Sequence, residues 1–557
     1  MAITTAVIYL DENSPFPLEP ELEKRIRESL GCSVVTVLVS RTRGALSAQR
    51  AIQCLERIAF GRRFATARAQ PRSKATGALT AAEILRQPKY DIVINLSTAI
   101  SSNALVDTAR VALYTLDILE HQNSNPGHIP GFWSFNNGDP TTGACVIRLS
   151  VTDDGSTKRT ILRTGVYRTA QLSFSENHRR LWRRALLLLA DALGRSSCDQ
   201  AASPLICTAP GRSPTAWDLM AGMYRASRRT IQRAYSKAWF HEQWRPFLWK
   251  GHAMGPLRGA YRSISVPRDR TWADPFLVER NGRHFIFLEE LLWKKGKGEI
   301  ACLELTPTGV QRLGTVITGN HHLSYPYLFV YDGRLYMAPE ASEQRAQDIW
   351  VCDEFPLRWT KVESVLVGQS VADASIIPYD GRWWLFANMD RLGMRDHTAE
   401  LHIFFADKPV GGAWLPHPAN PVVVDARRAR MGGGFLRGLD GGLVRIAQGS
   451  GHSYGECVVL CKVEHLSTTA YHEVPVGERR TTRKGLIGTH HLHACGDWVV
   501  SDVCARIPRL FPPKVRLSLV DISSEMVQPN VDGSGPGINL VGTTAWRDIP
   551  ARSDPHE

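Results

Sequence analysis

The residues best equipped for chemistry are three acids at matching places in a repeated phrase. Asp274 lies in TWADPFLVERNGRHFIFLEE (271–290), Glu340 in LSYPYLFVYDGRLYMAPEAS (323–342) and Asp373 in VADASIIPYDGRWWLFANM (371–389). Breaking or remaking a glycosidic bond takes two carboxyl groups, one to protonate the leaving oxygen and one to activate water or attack the sugar carbon. Asp274, held by the stiff backbone of Pro275, suits the base or nucleophile. Asp373 suits a charge partner that orients substrate and tunes pKa values, and Glu340 the acid, with Glu289 or Glu290 as substitutes. The competing explanation is structural, because aspartates also cap turns and axial carboxylates also hold water or a cation.

A second cluster is basic and polar: Arg430, Gln448, His452, Tyr454, His490 and His491. Arg430 heads MGGGF, where glycines let backbone approach a ligand, and a guanidinium beside backbone N–H groups suits a phosphate or carboxylate. An arginine packed across strands to satisfy carbonyls is the structural alternative. Glu290, Tyr325, Arg430, Gln448, Tyr454, His490 and His491 make up the expected substrate-binding set. Adjacent histidines on a strand face opposite ways, so at most one of His490 and His491 points inward. No HxxxH helix or cysteine partner accompanies them, so no metal and no cofactor is assigned. Trp272, Tyr325, Tyr327, Trp383, Trp384 and Trp414 read mainly as core aromatics, with a minority at a rim that could stack on sugars.

The elements that must position these residues are strands. Two weaker copies, GGFLRGLDGGLVRIAQG (433–449) and THHLHACGDWVVSD (489–502), bring the repeat to five. An apolar strand, an Asn-Gly or Asp-Gly turn and a second apolar strand, recurring roughly every 45–60 residues, are the signature of propeller blades. The expected fold is therefore an all-β five-bladed propeller over 241–521, in which equivalent positions converge on the central axis. A ring leaves no open sheet edge only if one blade draws on distant parts of the chain. Residues 242–249 are expected to pair near 512–521, in an early strand of the first blade.

Residues 1–195 alternate short strands, AVIYL (6–10), SVVTVLVS (33–40) and YDIVINLS (90–97), with helical segments at 17–30 and 78–87. GACVIRLS (143–150), TILRTGVYR (160–168) and a helix over 176–195 follow. This predicts an α/β domain with an open, mostly parallel sheet. Residues 196–240 read as a linker and basic helix, and 522–557 as a mobile tail.

The 557 residues carry 67 Lys and Arg against 54 Asp and Glu, a net charge of +13. Much of the excess falls between 158 and 270, above all in YRASRRTIQRAYSKAW (224–239), a helix with Met223, Ile231, Tyr235 and Trp239 on one side. It reads as a solvated connector or as a peripheral membrane contact on anionic lipid. Nucleic-acid binding has no reader motif behind it. No apolar run reaches the eighteen or so residues of a membrane span. The strand-like start lacks a secretion signal, and the expected location is cytoplasmic, at the inner face of the membrane. Eleven cysteines without CxxC pairs point to reduced thiols.

Two resemblances add to this. YDIVINLS (90–97) and PGFWSFNNGDPTTGACVIRL (130–149) resemble the formyltransferase fold used for methionyl-tRNA and amino-sugars. That family uses an Asn-x-His pair with a downstream Asp; here Asp117 stands at the Asn place, Leu119 at the His place and Asp154 at the downstream Asp, while His121 and His128 are out of spacing. The resemblance implies a degenerate domain, or alternatively an amino-sugar formyl or acyl transferase binding folate. Residues 242–520 resemble the propeller at the N-terminus of plant glucosamine inositolphosphorylceramide transferases. ADPFLV (273–278), FPLRW (355–359), HPANPV (417–422), RRARMGGGFLR (427–437), QGSGHSYGECV (448–458) and THHLH (489–493) carry it. The separate glycosyl-transferring domain of those enzymes is lacking here. More distantly the layout is similar to five-bladed furanosidases and xylosidases. A carbohydrate-active protein follows as the leading expectation, handling a glycan, glycolipid or sugar-phosphate intermediate of cell-surface polysaccharide synthesis. A non-enzymatic scaffold, in which Asp274, Glu340 and Asp373 share no pocket, is the third possibility.

Overall fold

A computed structural model describes residues 3–11, 18–39, 78–97, 100–119, 130–194, 214–251, 261–307, 309–438, 441–481, 485–509, 519–522 and 540–542. The chain divides into two compact units, Met1–Ala234 and Tyr235–Glu557. His121, His128 and nearly all of the expected tail lie outside the described residues.

In the first unit, strands β1 (Thr5–Asp11), β2 (Ser33–Val39), β3 (Tyr90–Asn95), β4 (Ala109–Ile118), β5 (Thr141–Val151) and β6 (Thr157–Arg168) form one sheet in the order β2-β1-β3-β4-β5-β6. The first four are parallel neighbours, as expected, whereas β5 and β6 add an antiparallel end to the sheet. A hairpin explains the change: Thr152, Gly155 and Ser156 close a tight turn between β5 and β6, which forces opposite directions. Apolar runs such as Ala6–Tyr9 are fully buried, as expected for strands covered on both faces. The helix Phe174–Leu193 is capped by Ser173, whose hydroxyl accepts the Glu176 N–H, and it buries Leu186–Leu189. The helix expected over 78–87 shrinks to Ala81–Ile84, opened by a Thr80–Glu83 capping box.

The second unit is the five-bladed propeller. The inner pairs of strands in the first three blades are Arg270–Arg280 with Arg283–Leu292, Ser324–Tyr331 with Arg334–Glu340, and Val371–Tyr379 with Arg382–Met389. The fourth pairs Arg430–Gly438 with Leu443–Gly449, and the fifth pairs Leu492–Cys495 with Trp498–Pro508. Each of the five sequence copies is thus the inner hairpin of one blade. The turns Asn281-Gly282, Asp332-Gly333 and Asp380-Gly381 hold positive φ at both central residues, the geometry that matches strand twist in a two-residue hairpin.

The ring closes as the topology demands, with a different partner from the one expected. Phe240–Lys250 pairs along its whole length with Trp498–Pro508, Leu248 facing Val500, inside the fifth blade rather than the first. Leu519–Ile522 joins the same sheet farther out, against Tyr261–Ile264. The apolar ends FLW (247–249) and WVV (498–500) face each other in this pairing. Leu248, Trp249, Val499 and Val500 are all buried.

Candidate functional site

At one point in each of the first four blades the inner ladder skips a residue. The skips fall between Ala273 and Phe276, Ser324 and Tyr327, Ala372 and Ser375, and Met431 and Gly434. Such bulges re-aim a side chain and recur beside functional sites. The residue bulged in the first three blades is Asp274, Tyr325 and Asp373, with φ of 51°, 45° and 50°. A left-handed backbone costs a non-glycine residue about 1–2 kcal/mol, so each must be braced from outside. In the fourth blade Gly433 and Gly434 take the same role, with φ of 130° and 97°.

The bracing runs from blade to blade. The Asp274 N–H donates to Asp502 of the fifth blade at 3.2 Å, and the Asp274 carboxylate accepts the Tyr325 N–H at 3.3 Å. The Tyr325 hydroxyl accepts the Gly433 N–H and meets the Ser375 hydroxyl, each at 3.0 Å. Arg430 donates from Nε to Asp373 at 2.5 Å and from Nη2 to Glu340 at 3.3 Å. His490 lies with Nδ1 2.9 Å from Asp502 and Nε2 3.5 Å from Asp274. Tyr454, 43% exposed, covers this ring: Arg430 sits 5.1 Å below its centroid, and the His490 ring 5.7 Å to its side. Trp244 stacks on His490 at 3.8 Å.

Asp274, Glu340, Asp373, Arg430, Tyr325, Tyr454, His490 and His491 are therefore gathered at the axis, from all five blades. The exceptions are instructive. Glu290 is locked elsewhere, accepting from Trp272 Nε1 at 2.9 Å, Arg270 at 2.9 Å and Arg312 at 2.6 Å, and so has no place in a binding set. Its neighbour Glu289 faces the other way, as alternation requires, and its carboxylate lies 3.2 Å from His322. Gln448 is buried across the ladder from Arg430, its amide nitrogen unpartnered. His452 is exposed. His491 points inward but is fully buried, edge-on to Phe276 and Tyr325, with Nδ1 3.7 Å from Asp274. Trp272, Tyr325, Tyr327 and Trp384 are core residues.

Asp502, Trp244 and His322 were not singled out in the sequence. Asp502 had a signal: the second strand of every copy ends near a polar residue, Glu289, Glu340, Asn388, Gln448 and Asp502 in turn. Trp244 lies hundreds of residues from His490 and had none.

Burial shapes the electrostatics. It raises the Asp274 carboxyl to about 7, with His490 pulling the other way and Glu289, Asp373 and Asp502 adding to the rise. Burial likewise lifts Asp373 to about 7 against the pull of Arg430, helped by Glu340, whose carboxyl hydrogen-bonds with it. Burial and the neighbouring Glu340 carboxyl thus favour the protonated form of Asp373. For His490 burial opposes the charge, yet Asp502 and Asp274 outweigh it and raise the imidazole to about 9. His322 follows the same logic through Glu289 and also reaches about 9. Burial pushes His491 far below its ordinary value, leaving it neutral.

A separate cavity of about 280 Å³ opens on the second blade. His321, Leu323, Pro339, Ala341, Gln344 and Trp350 line it, while Glu340, between Pro339 and Ala341, turns the other way toward Arg430. The Trp350 indole N–H is buried there without a partner.

In the first unit, Asp117 lies on β4 opposite Cys145 and pairs with Arg159 at 3.1 Å. Asp154 lies in the β5–β6 turn, bound to Thr152 and Ser156. Six strand residues separate Cys145 from the end of β5, roughly 20 Å of strand. The two aspartates expected to act together are held apart by that distance and by their own partners.

Comparison with known proteins gives three findings. The domain family "Glucosamine inositolphosphorylceramide transferase 1, N-terminal" matches residues 261–492. The glucosamine inositolphosphorylceramide transferase 1 of Oryza sativa subsp. japonica is 33% identical over 267 residues, covering 45% of this chain and 35% of that protein. Its counterpart in Arabidopsis thaliana is 33% identical over 220 residues, covering 38% and 28%. The chain thus spans about a third of the length of these relatives. Among solved structures, a family 117 glycoside hydrolase of the marine bacterium Zobellia galactanivorans overlaps 47% of this chain and 90% of its own. Its identity of 14% and TM-score of 0.31 are too slight to support inference.

Proposed function

We propose that the axial ring binds a glycosyl unit of a glycan or glycolipid and cleaves or transfers it. The observation that carries this is the convergence, at one buried site, of Asp274 beside His490 and of Asp373 and Glu340 on Arg430. Asp274, biased toward its charged form by His490, is the base or nucleophile. The Asp373–Glu340 pair is the proton donor, and Arg430 holds both carboxyls in place while presenting its charge to a phosphate or ring oxygen. Tyr454 offers an exposed ring for a sugar face. The relatives named for glucosamine inositolphosphorylceramide support a sugar linked to phosphate and lipid as the substrate class.

The test is a thermal-shift and hydrolysis screen with aryl glycosides, phosphosugars, sugar nucleotides and glycolipid headgroups on the full chain. A true ligand well above its dissociation constant raises the melting temperature. The shift disappears, or turnover stops with binding retained, in Asp274→Asn and Glu340→Gln. A shift that survives both substitutions with turnover intact moves the chemistry out of the ring.

A further inference from the structure

The helix Ala216–Trp239 is amphipathic in an unusual direction. Toward the first unit it buries only Gly222 and Ala226, while Arg225 donates to the Asn136 carbonyl and side chain and Arg229 to the carbonyls of Phe135 and Gln171. Its large apolar residues face away. Trp217 is 78% exposed, Tyr224 70% and Ile231 69%, and Met220, Tyr235 and Trp239 are at least half exposed. At 3.6 residues per turn these six fall within a sector about 100° wide, along roughly 33 Å of helix. No helix among the described residues is long and apolar enough to cross a membrane.

We propose that this stripe lies flat in the interfacial layer of an anionic lipid surface. Three features select lipid over other occupants. Trp and Tyr, four of the six, have amphipathic rings that settle at headgroup depth. Arg228 projects inside the stripe, and it, Arg233 and Lys237 are exposed with no carboxylate in ion-pair range among the described residues. Only Asp218 opposes the five basic residues of the helix. A second copy laid antiparallel on the stripe would bring Arg228 toward its own image, a repulsion that a lipid phosphate turns into attraction. A long arginine stem also lies along apolar surface while its head reaches the headgroups. The inference does not depend on the axial ring.

Co-sedimentation of the full chain with vesicles tests it. Binding is expected to vesicles of phosphatidylcholine mixed with phosphatidylglycerol, to weaken with added salt, and to be much poorer with phosphatidylcholine alone. The triple variant Trp217→Ser, Tyr224→Ser, Ile231→Ser lowers partitioning at least tenfold, because it removes the buried apolar area. Arg228→Ala alone lowers it about fivefold on the anionic vesicles and little on the neutral ones. Circular dichroism and melting temperature stay near those of the parent, since the substituted side chains are exposed. Two results overturn the proposal: vesicle binding that is absent or unchanged in the triple variant, or a dimer in sedimentation velocity that the triple variant dissociates. Soluble-ligand thermal shifts need no vesicles, so failure here leaves the glycosyl site standing.

Discussion

Asp274 is useful because burial and His490 pull its proton in opposite directions. On the proposed mechanism, Asp274 as base and Asp373 on the acid side, both raised to about 7, give a narrow bell in kcat/KM with both limbs close to pH 7. Asp274→Asn is expected to abolish turnover, leaving at most about a hundredth to a ten-thousandth of the rate that a positioned acid or base contributes. Stability has its own sign. Because the folded Asp274 binds its proton more tightly than the unfolded chain does, ionising it costs stability as pH rises from about 4 to about 7. Removing the charge should therefore help the fold most at neutral and higher pH. The melting-temperature difference between Asp274→Asn and the parent should grow more positive from acid to neutral buffer.

At the level of the element, the bulge matters more than the strand. Gly433 shows why the fourth blade carries glycine where three others carry an aspartate or tyrosine. A Cβ at Gly433 would overlap the Leu492 carbonyl oxygen of the fifth blade, at a φ of 130° that side chains rarely adopt. Gly433→Ala should cost several times more than Gly282→Ala, whose Cβ meets only open space and which costs about 1 kcal/mol for its left-handed turn. Denaturant melts of both variants would settle the ratio. The strands and turns were legible because alternation and Asn-Gly or Asp-Gly pairs act locally; so was the convergence of Asp274, Glu340 and Asp373, which follows from repeat position alone. Glu290 was misassigned because adjacent strand residues face opposite ways and its arginine partners lie 20 and 22 residues away. Trp244 and the true partner of Phe240–Lys250 were hidden because pairing across a closed ring is a property of the whole sheet. The antiparallel end of the first sheet rests on the Thr152–Ser156 turn, where Asp154-Gly155 reverses the chain.

On the scale of the molecule, the fifth blade holds the ring shut. Leu248 is fully buried between Phe240–Lys250 and its neighbours, in the cluster that contains Trp272, Leu277 and Val500. Leu248→Ala should destabilise the propeller by about 2–5 kcal/mol, read as a lower urea midpoint, and should weaken ligand binding in parallel because both ends of the site hang on that blade. The charge excess belongs to this scale as well: the helix Ala216–Trp239 carries five basic residues against one acid.

The brace from Asp502 to the Asp274 N–H joins residues 228 positions apart. Before the fifth blade closes, that N–H has no acceptor and no imidazole stands beside the Asp274 carboxylate, so the bulge lacks its brace. On the proposed mechanism a clipped chain without the last strands therefore loses sugar binding, and ligand affinity reads out finished folding.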